Sequence, residues 1–539
     1  MRIKALIFLL LLGAGVAQMA PAWAQSASTV SVARIDAQTR GAIECASLLQ
    51  ADFKTISEAS TSITSATVVA ASGGNKEYCK VEGTIAPQIG FELRLPTQSW
   101  NGRYFQAGCF GMCGAIQTDR FCADAQAQDL VVSSNDMGHK GTMWQADPWG
   151  GVAEQRENFG KRSAHVVAVV SKAVINAYYG QRAARSYFRG CSTGGREGLS
   201  EAQFYPGDFD GIIAGDFAMP TRQGIAAAWD AQYLLDTSDN DVFTLAKVEL
   251  LHRAVMKACD KLDGLEDGIL TDPRQCRFDP KTLLCAAGID RDDCLTKAQI
   301  DAAVALYDGP RNSKGQRLTP GGRAFGSELG WGAGVYSGSK NRLEIANSAL
   351  RNLAFAEVRP TFSYRDFTWD KDVAAMESQV ALFDVMPPRT APDLANFQKA
   401  GGKLIVYHGW ADAGVPAVGT LDYYAQVHTR QGGLEATRDW FRVFLVPGMF
   451  HCSGGDAPNE FDLLSAMVAW VEKGIAPDGI LATQLNADKS VKRTRPLYAY
   501  PAVAEYSGKG DVNDAANWHR ALPKTVTDDR VDWIWAPSR

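Results

Sequence analysis

The chain has 539 residues, with 55 Lys and Arg against 60 Asp and Glu, a formal charge of -5; 46% of its residues are hydrophobic and 21% charged. That balance excludes whole-chain disorder and provides length for a large core and two or three domains. The mild acidic surplus gives no basis for a nucleic-acid partner.

Arg2 and Lys4 precede an apolar run, Ala5 to Ala17, which ends near Ala22-Trp23-Ala24. A basic start, a short apolar segment and an A-x-A site predict a cleaved signal peptide over residues 1–24, hence a secreted or periplasmic protein. The run falls short of the ~20 residues a membrane-spanning helix needs. No later run of 18 apolar residues follows, so no membrane association is expected. Export permits disulfides. The eleven cysteines are an odd number, so at least one thiol lacks an intrachain partner. Cys109-x3-Cys113 has no matching second Cys/His pair, which argues against zinc.

Residues 25–75 are rich in Ser, Thr and Ala and show no strong periodicity. Strand patterns follow at Tyr78–Ile85, Phe91–Leu95, Arg103–Gln106 and Leu130–Ser133, with a Gly/Cys-rich loop at Ala107–Gly114. Helical spacing covers Ser163–Tyr179 and stops at Gly180. Tyr187–Arg189 is a short strand that runs into Gly190-Cys191-Ser192-Thr193-Gly194-Gly195, then a helix to Phe204, then a buried strand in Phe209–Gly215. The rhythm breaks over 217–390, a region of helices, long loops and four cysteines. It returns at Lys403–His408, Phe441–Val446 and a helix over Glu460–Lys473. Alternating strands and helices predict an α/β domain with a mostly parallel sheet, residues 25–216 and 391–539, interrupted by an inserted domain at 217–390.

Gly190-Cys191-Ser192-Thr193-Gly194 fits G-x-S-x-G between a strand and a helix. A sharp strand-to-helix turn presents the serine oxygen above the sheet and tolerates only small neighbours. The Thr193 N–H, at the helix start, is placed to stabilise an oxyanion. A serine hydroxyl needs a histidine base, and in this class of fold the order is Ser, then Asp or Glu, then His. Of seven histidines, His139 and His165 precede Ser192, His252 lies in the insertion, His428 in a helix-like stretch and His519 near the end. His408 ends a strand only four residues before Asp412. His451 follows the strand Phe441–Val446 and a Pro447-Gly448 turn, and Asp412 follows the strand Lys403–His408. Ser192, Asp412 and His451 thus form the candidate triad. Cys191 directly precedes the serine and Cys452 directly follows the histidine. If Ser192 and His451 meet, their neighbours meet too, and in an exported protein such a pair should form a disulfide.

Cys-Ser, then Asp, then His-Cys resembles the pattern of the tannase and feruloyl esterase family, which includes mono(2-hydroxyethyl) terephthalate hydrolase-like enzymes. The resemblance runs from about Ile43 to the C-terminus. It implies an α/β-hydrolase fold, a large inserted lid domain, and hydrolysis of aromatic carboxylic esters: feruloyl, galloyl or terephthalate monoesters, as small molecules or attached to a plant polymer. A serine peptidase fits the flanking cysteines less well. A non-catalytic carbohydrate-binding or adhesion module would expect a missing triad member, and none is missing.

Residues Cys259–Ile269 hold three Asp and two Gly. Carboxylates at that density repel unless a cation gathers them, and oxygen ligands suit Ca²⁺, although the EF-hand spacing fails and a solvated acidic turn fits as well. The resemblance implies a structural Ca²⁺ held by Asp260, Asp263 and Asp267 and by the carbonyls of Leu265 and Ile269. Alongside it come pairings Cys259–Cys276, Cys285–Cys294 and Cys45–Cys79, with Cys109, Cys113 and Cys122 left unassigned. The second oxyanion donor is expected from Gly108 or Cys109, although this loop departs from the family's usual glycine run. Arg351 and Phe355, an i, i+4 pair in the insertion, stand where the terephthalate monoester hydrolases carry an arginine for the substrate's free carboxylate; a surface arginine beside a core phenylalanine is the alternative.

Overall fold

The computed structural model describes residues 39–331, 339–523 and 528–538; the expected signal peptide lies outside them. Nine strands form one sheet: β1 (Thr61–Val69), β2 (Tyr78–Ile85), β3 (Ile89–Pro96), β4 (Arg103–Ala107), β5 (Val131–Asn135), β6 (Arg185–Cys191), β7 (Gly211–Gly215), β8 (Lys403–Gly409) and β9 (Phe441–Val446), in the order β1-β2-β3-β5-β4-β6-β7-β8-β9. The first three pairings are antiparallel and the remaining five parallel.

Period-2 alternation divides the apolar residues of the parallel strands between two cores. Phe188, Ile212, Leu404 and Val443 face one core with Val167 and Val174 of the helix Ser163–Tyr179 and Leu199 of the helix Thr193–Phe204. Tyr187, Ile213, Ile405 and Phe444 face the other, with Leu464 and Met467 of the helix Leu463–Lys473. Helices on both faces explain why these strands read as continuous apolar runs. Arg103 clamps the second layer, donating to both carboxylate oxygens of Glu472 at 2.7 and 2.6 Å, and the Tyr187 hydroxyl joins them at 2.7 Å.

Between β7 and β8 the chain leaves the sheet. Part of this segment has its own core, including Phe243, Val248, Leu251, Ile300 and Trp331. The helices Pro220–Leu234, Ser339–Asn352 and Lys371–Phe383 instead pack into the sheet's core through Ile225, Leu350 and Met376. The insertion is therefore continuous with the sheet domain over part of its length.

β1 overturns the reading of residues 25–75 as unpatterned. It is a Ser/Thr-rich edge strand, buried only at Thr61 and Ala66, with its register shifted between Ile63 and Ser65. Half-solvated residues and an irregular register erase the alternation that marks a strand. The C-terminal hairpins, Gly479–Leu485 with Val491–Tyr498 and Val503–Tyr506 with Trp518–Ala521, were also not anticipated.

The four anticipated disulfides are present, and a fifth joins Cys109 to Cys113. Cys122 is a buried thiol, pushed up to about 12 by burial. Cys45–Cys79 closes a separation of 34 residues and ties the N-terminal turn to β2. Replacing both by Ser should cost up to roughly 4 kcal/mol of stability, seen as a lower Tm, while ester turnover well below that Tm persists.

Candidate active site

β6 ends at Cys191 and the next helix begins at Thr193, which leaves Ser192 at φ 62°, ψ -121°. Such backbone costs about 1–3 kcal/mol and persists only where the surroundings enforce it. Here the Ser192 N–H donates to the Gly215 carbonyl at 2.9 Å, and its own carbonyl accepts from Arg196 (3.1 Å) and Ala218 (3.0 Å). A Cβ on Gly190 would lie 2.4 Å from the Gly194 backbone, and one on Gly194 2.7 Å from the Cys109 carbonyl. The two glycines are thus required by close packing of strand, helix and loop.

Asp412 follows β8, and His451 follows β9. His451 Nδ1 lies 2.5 Å from Asp412 Oδ2, while Asp412 Oδ1 accepts from the N–H groups of Gly414 (2.8 Å) and Val415 (2.9 Å). Asp412 is fully buried. Burial opposes its ionisation, but the charge of His451 and the hydrogen bonds of His408 and His451 outweigh it and hold Asp412 well below the usual carboxylate range. For His451, burial opposes the proton; the charge and hydrogen bond of Asp412, with Asp216 behind them, raise it above an ordinary histidine. Cys191–Cys452 spans 6.0 Å between Cα atoms and binds the serine-bearing turn to the histidine-bearing loop across 261 residues of sequence.

Two residues of this cluster were missed or set aside. Asp216, just past β7, is fully buried at φ 36°. Its carboxylate accepts from the Gly409 N–H at 3.0 Å, and its ligand atoms, those of Asp412 and those of His451 lie within 4.8 Å of one another. The signal was an Asp closing the apolar run Gly211–Gly215. His408 is not a competing base: it is buried, with Nε2 2.7 Å from the Val415 carbonyl and Nδ1 2.7 Å from the Thr420 hydroxyl.

The expected second oxyanion donor needs correction. The Gly108 N–H donates to the Arg189 carbonyl at 2.9 Å, and the Cys109 N–H donates to Glu197 Oε2 at 2.7 Å. Both are consumed in fixing the loop, because β4–β6 pairing runs on to Gly108 and the serine helix sends a carboxylate across to Cys109. The Thr193 hydroxyl pins the same loop at the Gly111 carbonyl, 2.6 Å away. Thr193 opens its helix, where the N–H has no intrahelical acceptor.

A cavity of about 690 Å³ opens beside His451, lined among others by Phe110, Arg120, Arg323, Arg342 and Ile345. Arg351 and Phe355 are not among its lining residues. Arg351 Nε donates to the Phe362 carbonyl at 2.9 Å, and Phe355 is buried in the main core under Arg359. The helix that carries Arg351 ends at Asn352, so Phe355 lies beyond it and the expected i, i+4 helical pair does not form. The arginines that reach the cavity are others. Arg323 Nη2 donates to Asp230 at 2.6 Å, while its Nη1 is buried without a hydrogen-bond partner among the described residues. Burial, and then the charge of Arg323, lowers the pKa of Arg342.

In the acidic loop, Asp260 accepts from the Gly268 N–H (3.0 Å), Asp263 from Leu265 (3.0 Å) and the Thr271 hydroxyl (2.8 Å), and Asp267 from Ile269 (3.2 Å). Arg495 also pairs with Asp267 at 2.9 Å. Burial, together with the charge of Asp267, pushes Asp260 and Asp263 up. Carboxylate and carbonyl oxygens gathered in one loop are the donor type that suits a hard divalent cation.

Residues 70–521 match the family described as tannase and feruloyl esterase. The chain belongs to this family. It is accordingly an enzyme, a carboxylic ester hydrolase. The mono(2-hydroxyethyl) terephthalate hydrolase of Piscinibacter sakaiensis is 35% identical over 529 residues, covering 83% of this chain and 85% of its own length. A probable feruloyl esterase of Arthroderma benhamiae is 34% identical over 447 residues, covering 80% and 81%. Among solved structures, feruloyl esterase B from Aspergillus oryzae superposes with a TM-score of 0.76 at 27% identity, covering 88% of this chain and 100% of that one. The α/β-hydrolase architecture of this tannase-family esterase agrees with that likeness. Among its described residues, no helix is long and apolar enough to cross a membrane.

The Cys191–Cys452 bond joins site loops, whereas Cys285–Cys294 closes a short loop of 9 residues in the insertion. Replacing both cysteines of the first pair should lower kcat by about 10²-fold, with KM little changed. Replacing the second pair should lower Tm before activity. Equal losses of kcat at equal Tm would contradict this.

Proposed function

We propose that this tannase-family esterase hydrolyses esters of aromatic carboxylic acids through a Ser192-His451-Asp412 triad and an acyl-enzyme. The observation that carries the reading is the 2.5 Å contact between His451 and Asp412 beside the disulfide leading to Ser192. With Nδ1–H donated to Asp412, Nε2 takes the Ser192 proton as Oγ attacks the ester carbonyl. The imidazolium formed is stabilised by Asp412 and returns the proton to the departing alcohol. Water then enters, gives a proton to His451 and attacks the acyl carbon; Ser192 leaves with that proton and the free acid is released. Thr193 N–H supplies one oxyanion donor. Phe110, whose ring centroid lies 6.0 Å from that of His451, offers an aromatic wall for the acyl group.

A specific feature favours a terephthalate-type monoester over a neutral cinnamoyl or galloyl ester. Arg323 and Arg342 both face the cavity, both more than nine-tenths buried, and the Arg323 Nη1 has no hydrogen-bond partner among the described residues. A guanidinium fork of this kind suits a free carboxylate at the far end of the substrate.

Ser192→Ala should lower kcat by about 10⁴-fold or more, measured on methyl ferulate, methyl gallate and monomethyl terephthalate; wild-type turnover would overturn the triad. Arg323→Gln should raise KM for monomethyl terephthalate by about tenfold or more and leave that for dimethyl terephthalate nearly constant.

The same reading assigns Asp260, Asp263, Asp267 and the Leu265 and Ile269 carbonyls to a structural Ca²⁺, which would brace the loop away from the triad. Chelation should lower Tm by linkage, Asp263→Asn should reduce that response, and metal analysis of native protein should find calcium; absence of calcium would leave the loop a solvated turn. Export is supported by the five disulfides and by the basic-then-apolar start of the chain.

A further inference from the structure

Asp412 and Asp216 are two carboxylates without exposed surface, close enough together that both can stay ionised only if a cation offsets one of them. His408 stands between them. Its Nε2 lies 3.4 Å from Asp412 Oδ2 and 3.6 Å from Asp216 Oδ1. Both ring nitrogens already face groups that can accept a hydrogen bond, the Val415 carbonyl and the Thr420 hydroxyl, each at 2.7 Å. The imidazolium can therefore exist in this buried place without an orphaned N–H. If His408 loses its proton, the Thr420 hydroxyl can turn and donate to Nδ1, so the neutral ring is satisfied as well. Thr420 belongs to the helix Val418–Arg430, which backs the Asp412 loop.

We propose that Asp216 and His408 are a pair of positioning residues beneath the triad, in which the His408 imidazolium offsets the second buried carboxylate and leaves Asp412 to direct His451. This rests on the triad reading above. Other groups that face the pair are few. The Cys191 Sγ, already in the disulfide, is 3.6 Å from Asp216 Oδ2. Tyr407, on β8, is raised by burial and then by the charge of Asp216, so it stays neutral. The Gly409 N–H is bound to Asp216, and the Phe217 ring covers His408 edge-on. Asp216 itself is pushed up to about 6 by burial, against the charge of His408. At His451, Asp216 favours the proton and His408 disfavours it.

The two members therefore act in opposite directions on the same base. His451 must be neutral to take the serine proton, so the acid limb of kcat/KM reports its protonation. His408→Gln leaves two carboxylates without the cation. It should lower kcat by about 10²-fold with KM within about twofold, and move the acid limb to higher pH by on the order of one pH unit. Asp216→Asn keeps the size of the side chain and an acceptor for Gly409. It should move the limb to lower pH and lower kcat by less than about threefold. In the double variant only Asp412 remains charged, so kcat should recover by about tenfold or more over His408→Gln alone.

Additive losses in the double variant, or limbs that move the same way in both single variants, would overturn the pair. A merely structural role for His408 predicts lower Tm in the double variant and no recovery. If His408→Gln fails to fold, the limb of Asp216→Asn decides alone: no shift overturns the proposal. Ser192→Ala, assayed alongside, keeps the two readings apart. Full turnover in that variant removes the triad and the pair together. An inactive Ser192→Ala with a wild-type limb in Asp216→Asn removes only the pair.

Discussion

Asp412 carries a charge with no surface open to water, and a carboxylate in that position is tolerated only when its lone pairs are filled. One oxygen takes the N–H groups of Gly414 and Val415, and the other takes His451. The local turn after β8 is thus dictated by the charge it encloses, since the backbone must fold back within three residues to deliver its two donors. The remaining acceptor position points to the neighbouring strand end, where β9 presents His451. Removing the negative charge would take away both the reason for the turn and the partner that fixes the histidine tautomer.

The topology makes that geometry cheap to assemble. β6, β7, β8 and β9 run parallel and side by side, so their C-terminal ends deliver Ser192, Asp216, Asp412 and His451 to one edge of the sheet. The insertion leaves after β7 and returns before β8, which sets its residues over that edge, and Arg323 and Arg342 reach the cavity from it. The candidate triad and the arginines that line the cavity therefore come from different parts of the chain. Loops and insertions can vary over a fixed strand edge, which is consistent with relatives named for feruloyl esters and for a terephthalate monoester.

What could be read from residues alone follows the same physics. β2, β9 and the helix Ser163–Tyr179 were placed at their observed bounds because strong periodicity ends at clear punctuation, such as Gly180 in the left-handed region at φ 70°. The candidate triad was legible because chain order and strand ends restrict three residues at once, and the disulfide because it joins the neighbours of two of them. β1 was not, because an edge strand of Ser and Thr carries little burial signal. Nor could sequence show that the Cys109 N–H is occupied, since its acceptor, Glu197, is 88 residues away. Arg351 and Phe355 illustrate a similar limit: their spacing suggested a shared helix face, but the helix stops at Asn352 and Phe355 turns into the core. Asp216 was passed over at the end of an apolar run, where a single acid reads as the loop that follows.

Glu197 shows why the loop Ala107–Gly111 and the turn at Ser192 belong to one mechanical unit. It sits on the helix that starts beside Ser192, buried, and burial pushes it up to about 7 against the charge of Arg196. A helix residue that spends a buried carboxyl on a loop N–H fixes the loop relative to the helix, and Gly194 packs against Cys109 at a distance no side chain would allow. The Thr193 hydroxyl adds a third tie at Gly111. Loop and elbow are therefore tied together, so the position of the loop relative to Ser192 is set by packing. Preorganisation of this kind lets a hydrogen bond favour the transition state, since no donor has to be reoriented as charge develops. The same close packing explains why glycine recurs at 190, 194 and 195, where an added carbon would press on Gly194, on the Cys109 carbonyl and on the Gly215 carbonyl at the end of β7, respectively.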